Sequence, residues 1–195
     1  LDSDYDTLIF KHDYNVIQNW SEWEQGKINL MMIQNEDTTP GYCFLQLLRQ
    51  DEPLHATVIP DEDYITDRCG RILHNNKVLN LSYPNSEQHG PSLAIQGQQG
   101  IVDQDIVFAY PCKSWPQSAS GWLQRQGIGR WPTQEMRSYA ASTSCFVVPT
   151  GSKVSVHPEL EWRISTCLVE RCLMRSEEHT SELQSLTNLV CRIRH

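Results

Sequence analysis

The feature that most constrains the fold is residues 3–10, a strand-like run that carries two acids two positions apart. Alternate side chains of a β-strand point to one face, so Asp4 and Asp6 project together while Tyr5 and Thr7 point away. Two carboxylates held this close repel each other unless a hard cation lies between them. Mg²⁺ suits such a pair, because it binds one or two carboxylates and completes its octahedron with water and phosphate oxygens. A surface strand with two solvated aspartates explains the same pattern, so other parts of the chain must distinguish the two.

The composition indicates one domain without a nucleic-acid-binding surface. The 195 residues, 39% hydrophobic and 21% charged, are enough for a single sizeable core. The formal net charge is −8 and Lys and Arg form no cluster, which argues against a nucleic-acid patch in this segment. No apolar run approaches the ~20 residues that span a bilayer, and the start shows no signal-peptide pattern. We therefore expect no membrane partner.

The cysteines indicate a reducing compartment. Their number is odd, they are scattered, and none forms a Cys-x-x-Cys pair: Cys43, Cys69, Cys112, Cys145, Cys167, Cys172 and Cys191. No His pair has zinc-finger spacing, so a structural zinc site is not expected. Scattered single cysteines are typical of buried thiols, which favours a cytoplasmic protein, with the nucleus as the alternative.

Apolar runs predict strands at residues 28–33 and 42–48, joined by a turn at 37–41. A hairpin beside the opening strand is the simplest arrangement. Residues 101–110 and 145–149 predict two more strands. The polar stretch 51–100 suggests only short strands near 56–59 and 71–73, with His55, His74 and His89 as ordinary loop histidines.

Two prolines mark predicted helix starts, since Pro116 and Pro132 each stand where a first helical residue is expected. Trp20 and Trp23 are predicted to be packing residues. Residues 162–174 are predicted to form a core-facing helix, because apolar residues pair at i, i+4 from Leu168 onward.

Residues 175–195 are predicted to be foreign to the domain. Their first part, Arg175-Ser176-Glu177-Glu178-His179-Thr180-Ser181-Glu182-Leu183-Gln184-Ser185, is the translation of a common sequencing adapter. Leu186-Thr187 would span a variable index, and the following residues match the constant stretch after it. A genuine polar C-terminal helix is the alternative, because the composition permits one. We therefore expect residues 1–174 to be the natural part, cut at both ends.

Four short motifs occur in an order that resembles one family of enzymes. They are Ser3-Asp4-Tyr5-Asp6-Thr7-Leu8, Cys112-Lys113-Ser114-Trp115-Pro116, Trp131-Pro132 and Glu161-Trp162-Arg163-Ile164-Ser165. No motif is specific by itself, but the ordered set resembles the Mab-twenty-one-like nucleotidyltransferases, which include cyclic GMP-AMP synthase and the cGAS-like receptors. The resemblance covers most of residues 1–174 and suggests a relative of the cGAS-like receptors.

The resemblance implies an α+β protein with a partial nucleotidyltransferase fold: a mixed β-sheet with flanking helices, its C-terminal helical lobe missing. It also implies that acids from two strands hold two Mg²⁺ (or Mn²⁺) ions and that NTPs are the substrates. Asp4 and Asp6 match the family's paired acids. Asp105 is the candidate third acid; it lies one residue closer to Trp115 than in the synthase, whereas Asp103 lies one residue farther.

The nucleotide contacts implied by the resemblance lie near the end of the domain. Arg163 and Ser165 match a Trp-Arg-Leu-Ser motif that contacts a nucleotide base, and Cys167 stands where a second Ser is common. The synthase has a lysine after its Val-Pro strand; Thr150 occupies that position here, and Lys153 is the candidate substitute. The family's Gly-Ser turn, which grips the triphosphate, lies upstream of the residues present in this sequence.

Two functions follow from the resemblance. The first is an innate immune enzyme that converts NTPs to a cyclic dinucleotide or a related product after binding an activating ligand, which the sequence does not identify. The second is a non-catalytic module that binds nucleotides or proteins. Because the sequence lacks the Gly-Ser turn and the C-terminal lobe, we expect this segment alone to be inactive.

Overall fold

The computed structural model describes residues 5–77, 87–95, 104–124, 133–143 and 145–170. In these residues it has the strands β1 (Tyr5–Phe10), β2 (Tyr14–Ile17), β3 (Ile28–Ile33), β4 (Tyr42–Leu47), β5 (Tyr64–Thr66), β6 (Ile72–His74), β7 (Glu87–His89), β8 (Ser92–Ile95), β9 (Gln104–Pro111), β10 (Phe146–Val148) and β11 (Trp162–Ser165). A short 3-10 helix covers Trp20–Glu22, and two α-helices, α1 (Gln117–Leu123) and α2 (Gln134–Ser142), separate β9 from β10. The protein is therefore α+β, with more strand than helix.

The strands form one mixed sheet that curls on itself. Its main path runs β2-β3-β4-β11-β10-β9-β8-β7, with β1 also beside β9 and the β5–β6 pair attached to β4. A bridge between Val16 and Cys112, and a hydrogen bond from the Lys113 amide to the Val16 carbonyl, bring β2 back to the end of β9. The curled sheet is consistent with the partial nucleotidyltransferase fold that the sequence predicts.

The main core lies on the concave side of this curl, which we call the inner face. It consists of Val16, Leu30, Met32, Cys43, Leu45, Leu47, Tyr64, Ile72, Tyr110, Cys112, Cys145, Val147 and Trp162. Burying each large apolar side chain stabilises the fold by about 1.5–3 kcal/mol. The prediction of buried thiols is confirmed for Cys43, Cys112 and Cys145, whereas Cys69 is exposed and Cys167 is half-buried.

A second apolar cluster lies on the opposite side of β1, β9 and β10, which we call the outer face. It contains Ala109, Phe146 and Val148, with Leu8, Phe10, Val107 and Leu168 packed against it. The helices add a small cluster of Ala140 and Val169 with Trp115, Leu123 and Met136. Because Leu168 and Val169 are neighbours in one helical turn, that turn joins the helices to the outer face.

The hairpin of β3 and β4 is confirmed, with Leu30 opposite Leu47 and Ile33 opposite Phe44. Its predicted position beside the opening strand is wrong. The other neighbour of β3 is β2, in parallel, and β1 pairs in parallel with β9 instead. Local patterns could not reveal this pairing, because parallel strands are joined by long crossovers rather than tight turns.

The predicted helix at residues 162–174 is wrong in its first part. Trp162–Ser165 is a strand that pairs antiparallel with both β10 and β4, and helix begins only at Cys167. The i, i+4 pattern starts only at Leu168. The apolar residues before Leu168 belong to β11, which lies between β10 and β4. Helix α1 begins at Gln117, one residue after Pro116, which was predicted to be its first residue. Helix α2 begins at Gln134, and the hydroxyl of its N-cap residue Thr133 accepts the Met136 amide at 3.2 Å. Pro132 lies outside the described residues.

The described part of the polar stretch contains three strands that the sequence did not predict, β5, β7 and β8. The strand near 71–73 is confirmed as β6, and the strand near 56–59 is absent from the described residues, where a bridge between His55 and Leu48 replaces it. His74 is a buried strand residue and not a loop histidine. Trp20, predicted to pack, is 41% exposed and meets only the edge of His55 among the described rings. No helix in the described part of the chain is long and apolar enough to cross a membrane.

Candidate functional site

The centre of the candidate site is the pairing of β1 with β9. The two strands run parallel over six positions, and the register places Asp6 opposite Asp105. Parallel pairing in register puts opposed residues on the same side of the sheet. Thus the structure brings together two of the three predicted acidic positions, from strands about 100 residues apart. Asp4 lies outside the described residues, as does the alternative Asp103.

Both acidic positions fall in rows that belong to the outer face. In β9, Asp105 alternates with Val107 and Ala109, and in β1, Asp6 alternates with Leu8 and Phe10. The apolar members of these rows all contact the outer-face cluster. Asp105 is half-buried and continues its row one step beyond the last apolar side chain. The acidic positions therefore stand at the polar ends of two otherwise apolar rows.

The predicted base-contacting residues lie on the same face. In β11, Arg163 is opposite Val148 and Ser165 is opposite Phe146, both of which are outer-face residues. The intervening residues Trp162 and Ile164 pack into the inner core. Strand alternation thus turns Arg163 and Ser165 away from the core and onto the surface shared with the acids.

The register also gives the separation of the two groups. Tyr110 pairs with Val147, so the next pair along is Ala109 with Val148, and Arg163 follows on β11. Asp105 is four residues from Ala109, which is about 13 Å along the strand, and β11 is two strands away, about 10 Å. An extended nucleotide can bridge such a gap, with its phosphates at one end and its base at the other.

Lys153 lies in the loop between β10 and β11, and its side chain is exposed. That loop leads into β11, which carries Arg163 ten residues farther along the chain. Among the described residues, neither Lys153 nor Arg163 forms an ion pair. Both cations are therefore available to an anionic ligand. No group of three His, Cys, Asp or Glu side chains that could hold a metal occurs within the described residues.

Buried aromatic rings support the site from the inner face. Tyr14 stacks on Tyr110 with ring centroids 4.0 Å apart, and His74 stacks between Tyr64 and Trp162 at 4.6 and 5.1 Å. His74 Nε2 lies 3.0 Å from the Tyr110 hydroxyl, and the Trp162 indole donates to the His74 carbonyl at 3.0 Å. This network fixes β9 and β11, the strands that carry Asp105 and Arg163.

Burial sets the protonation of this network. It lowers the pKa of His74 to about 4, although the Asp63 carbonyl beside Nδ1 acts in the opposite direction. It also raises the pKa of the Tyr14 and Tyr110 hydroxyls. At neutral pH the cluster is therefore uncharged, as expected for polar groups that serve packing.

Sequence reasoning missed two polar residues that organise the site. The Gln18 amide donates to Ser114 and Trp115 at 2.8–3.1 Å and accepts the Gln117 amide, so it holds the loop before α1. Glu161 is fully buried and accepts two backbone amides. Glu161 was part of a motif that carries the family resemblance, but nothing in the sequence indicated that its side chain is buried against two distant loops.

Two cavities, of about 240 and 220 Å³, are both lined by Lys113. Neither is lined by Asp105, Lys153, Arg163 or Ser165 among the described residues. The cavity near the Lys113–Glu24 ion pair also lies beside Lys27. The two cavities therefore do not coincide with the candidate site, which is defined by the register of β1 and β9 instead.

Comparison with protein-family models assigns most of the chain to one domain family. Residues 25–176 match the Mab-21 protein nucleotidyltransferase domain, which is more than half of the chain. The chain belongs to the Mab-21 nucleotidyltransferase family. The predicted resemblance is thus confirmed at the level of the family. A comparison with curated proteins found no match.

The Mab-21 match includes Asp105, Lys153, Arg163 and Ser165 but begins after Asp4 and Asp6. The β1–β9 register is therefore what connects the N-terminal acids to the matched domain. The domain boundary at residue 174 and the origin of residues 175–195 stay predictions, since residues 171–195 lie outside the described part of the chain.

Proposed function

We propose that this Mab-21 domain catalyses nucleotidyl transfer from NTPs with a divalent metal, Mg²⁺ or Mn²⁺, held by Asp4, Asp6 and Asp105. The observation that carries the proposal is the register of β1 and β9, which opposes Asp6 and Asp105. Carboxylate oxygens are the donors that Mg²⁺ prefers, so these residue types fit the metal. Asp4 is two positions before Asp6 and would share its side of an extended strand.

Each group of residues has a separate task. Bound at the acids, the metal would lower the pKa of an attacking ribose hydroxyl and neutralise a leaving pyrophosphate. The Arg163 guanidinium can donate a pair of hydrogen bonds to a nucleotide base, and the Ser165 hydroxyl can donate or accept one. Lys153 supplies a mobile point charge for phosphate oxygens.

We propose the wider role of the protein from its family membership. Like the cGAS-like receptors, the protein would make a cyclic dinucleotide or related product after binding an activating ligand, as part of innate immunity. Its partners would be nucleotides and that ligand. The buried, unpaired thiols Cys43, Cys112 and Cys145 favour a reducing compartment, either the cytoplasm or the nucleus.

The test is a paired substitution of Asp4→Asn and Asp6→Asn in the full-length protein, with NTP turnover as the measurement. We expect turnover to fall by roughly 10²–10³, the usual cost of losing groups that stabilise the transition state. Asp13→Asn is the matched control, because Asp13 is an exposed acid a few residues away. Unchanged turnover in the paired variant would contradict the proposal.

The non-catalytic alternative rests on Thr150, which occupies the position where the synthase has a lysine. A domain that has lost this cation would bind nucleotide without converting it. Full-length protein that binds NTPs tightly in the presence of Mg²⁺, but shows no turnover with any of them, would support this alternative.

A further inference from the structure

Glu161 is a buried carboxylate whose charge is compensated entirely by backbone amides among the described residues. Its exposed fraction is 0%. One oxygen accepts the Thr39 amide at 2.8 Å and the other accepts the Ser152 amide at 3.0 Å. Burying an ionised carboxylate costs several kcal/mol unless such charge-assisted hydrogen bonds offset it. An apolar residue could fill the same space, but it could not accept these two amides.

The two amides belong to loops that are far apart in sequence. Thr39 lies in the turn between β3 and β4, and Ser152 lies in the loop between β10 and β11. Thr39 is 122 positions from Glu161, whereas Ser152 is nine positions away. Neither loop pairs with the other through strand hydrogen bonds in the described residues. One side chain therefore ties the two loops together.

Both loops border Arg163. This residue pairs with Tyr42 on β4, which directly follows the first loop, and with Val148 on β10, which precedes the second. The second loop also carries Lys153. Thus Tyr42 and Val148, which flank Arg163 on either side, directly adjoin the two loops that Glu161 joins. Lys153 lies in the second of these loops.

The second loop is fixed at its base and exposed at its tip. The Asn76 side chain donates to the carbonyls of Pro158 and Glu161 at 2.7 Å. A Cβ at position 151 would lie 1.8 Å from the Pro158 carbonyl oxygen, so only glycine fits there. At the tip, Val154 and Val156 are 84% and 85% exposed. The loop is therefore a rigid support that presents Lys153 and two apolar side chains to solvent.

We propose that Glu161 is a positioning residue of the nucleotide site. By holding the two loops together, its carboxylate fixes the spacing between Lys153 and Arg163, which the triphosphate and the base of one bound nucleotide require. This inference rests on the proposed function, because it assigns the residue that organises the base end of the same site. Glu161 itself contacts no ligand.

The experiment compares Glu161→Gln with Glu159→Gln in the full-length protein. Glutamine keeps the size of the side chain, but it replaces one acceptor oxygen with an NH₂ group that faces a backbone N–H. Glu159 is the matched control, because it is two residues away and its carboxylate meets only His157, at 3.7 Å, among the described side chains. Mg-ATP and Mg-GTP are titrated against each variant.

We expect Glu161→Gln to raise the Kd for the preferred nucleotide about tenfold, while Glu159→Gln leaves the Kd unchanged. Backbone amide exchange should accelerate at Thr39 and Ser152 together. A core variant, Leu47→Ala, controls for lost stability, because Leu47 is buried on the inner face at the end of β4 away from the turn that contains Thr39. Equal weakening of nucleotide binding by Leu47→Ala, at a matched loss in Tm, would overturn the proposal.

The amide-exchange readout separates this inference from the proposed function. If wild-type protein bound neither nucleotide, the proposed function would fall, and exchange alone would decide whether Glu161 couples the loops. Unchanged exchange at either amide in Glu161→Gln would overturn the coupling, whatever the nucleotide result.

Discussion

The two faces of β9 and β11 carry opposite kinds of chemistry on alternating residues. The inner face holds Tyr110 and Trp162 in a network of ring contacts and hydrogen bonds that is buried and uncharged. The outer face carries Asp105, Arg163 and Ser165, which are half-buried and leave their polar groups accessible. Substitutions of the inner-face residues should therefore change stability, whereas substitutions of these three polar outer-face residues should change chemistry. Four measurements can break or sharpen this division.

The largest effect should come from Trp162→Ala, because it empties a fully buried indole site in the main core. We expect the free energy of unfolding to fall by about 4 kcal/mol, as is usual for large-to-small core substitutions. Urea unfolding measures it. Arg163→Ala is the control, since it alters the next residue on the opposite face and should cost less than about 1 kcal/mol. Equal losses would show that the two faces are not separable.

The next effect concerns pH and the inner face. Because burial lowers the pKa of His74 to about 4, below the ordinary 6.5, the unfolded chain binds more protons than the folded one between these values. Stability from this residue is present above pH 6.5 and is lost as the pH falls toward 4, by about 3 kcal/mol in all.

Urea unfolding at pH 7, 5.5 and 4.5 checks this expectation against a His74→Gln variant. The variant should be less stable at pH 7 but should lose less stability on acidification, since glutamine does not titrate. Parallel pH profiles for the two proteins would show that His74 is not the group responsible.

On the outer face, Asp105→Asn should lower NTP turnover by about a hundredfold if the proposed function holds. Stability should change by less than about 0.5 kcal/mol, because the side chain is half-buried at the end of its row. Turnover and urea unfolding are measured on the same full-length preparation. A large loss of stability with normal turnover per folded molecule would assign Asp105 to the structural face instead.

The smallest effect should come from Ser165→Ala. One neutral hydrogen bond to a base contributes about 1 kcal/mol, so we expect a roughly fivefold rise in KM for the nucleotide with little change in kcat. Steady-state kinetics with two different NTPs measure it. Ser21→Ala, at an exposed position of the 3-10 helix, is the control that should leave KM unchanged.

Short-range features of the fold followed from local physics. The β3–β4 hairpin was predictable because two apolar runs flank a Pro-Gly turn, and α1 because Pro116 suits a helix start. The failures arose where distant partners decide the outcome. Trp162–Ser165 became a strand because β4 and β10 both pair with it, and His74 became a core residue because Tyr64, Tyr110 and Trp162 surround it.

The sequence by itself determined the candidate residues and the family. Asp6, Asp105, Arg163 and Ser165 were predicted as site residues from residue type and motif order, and the family assignment is independent of the coordinates. Only the tertiary structure decided their arrangement: parallel pairing opposed Asp6 to Asp105, and alternation in β11 put Arg163 on the same face. Glu161 also needed the structure, because its task depends on two amides brought near it by long-range folding. Hydrogen bonds between distant strands set these relations, and no local pattern encodes them.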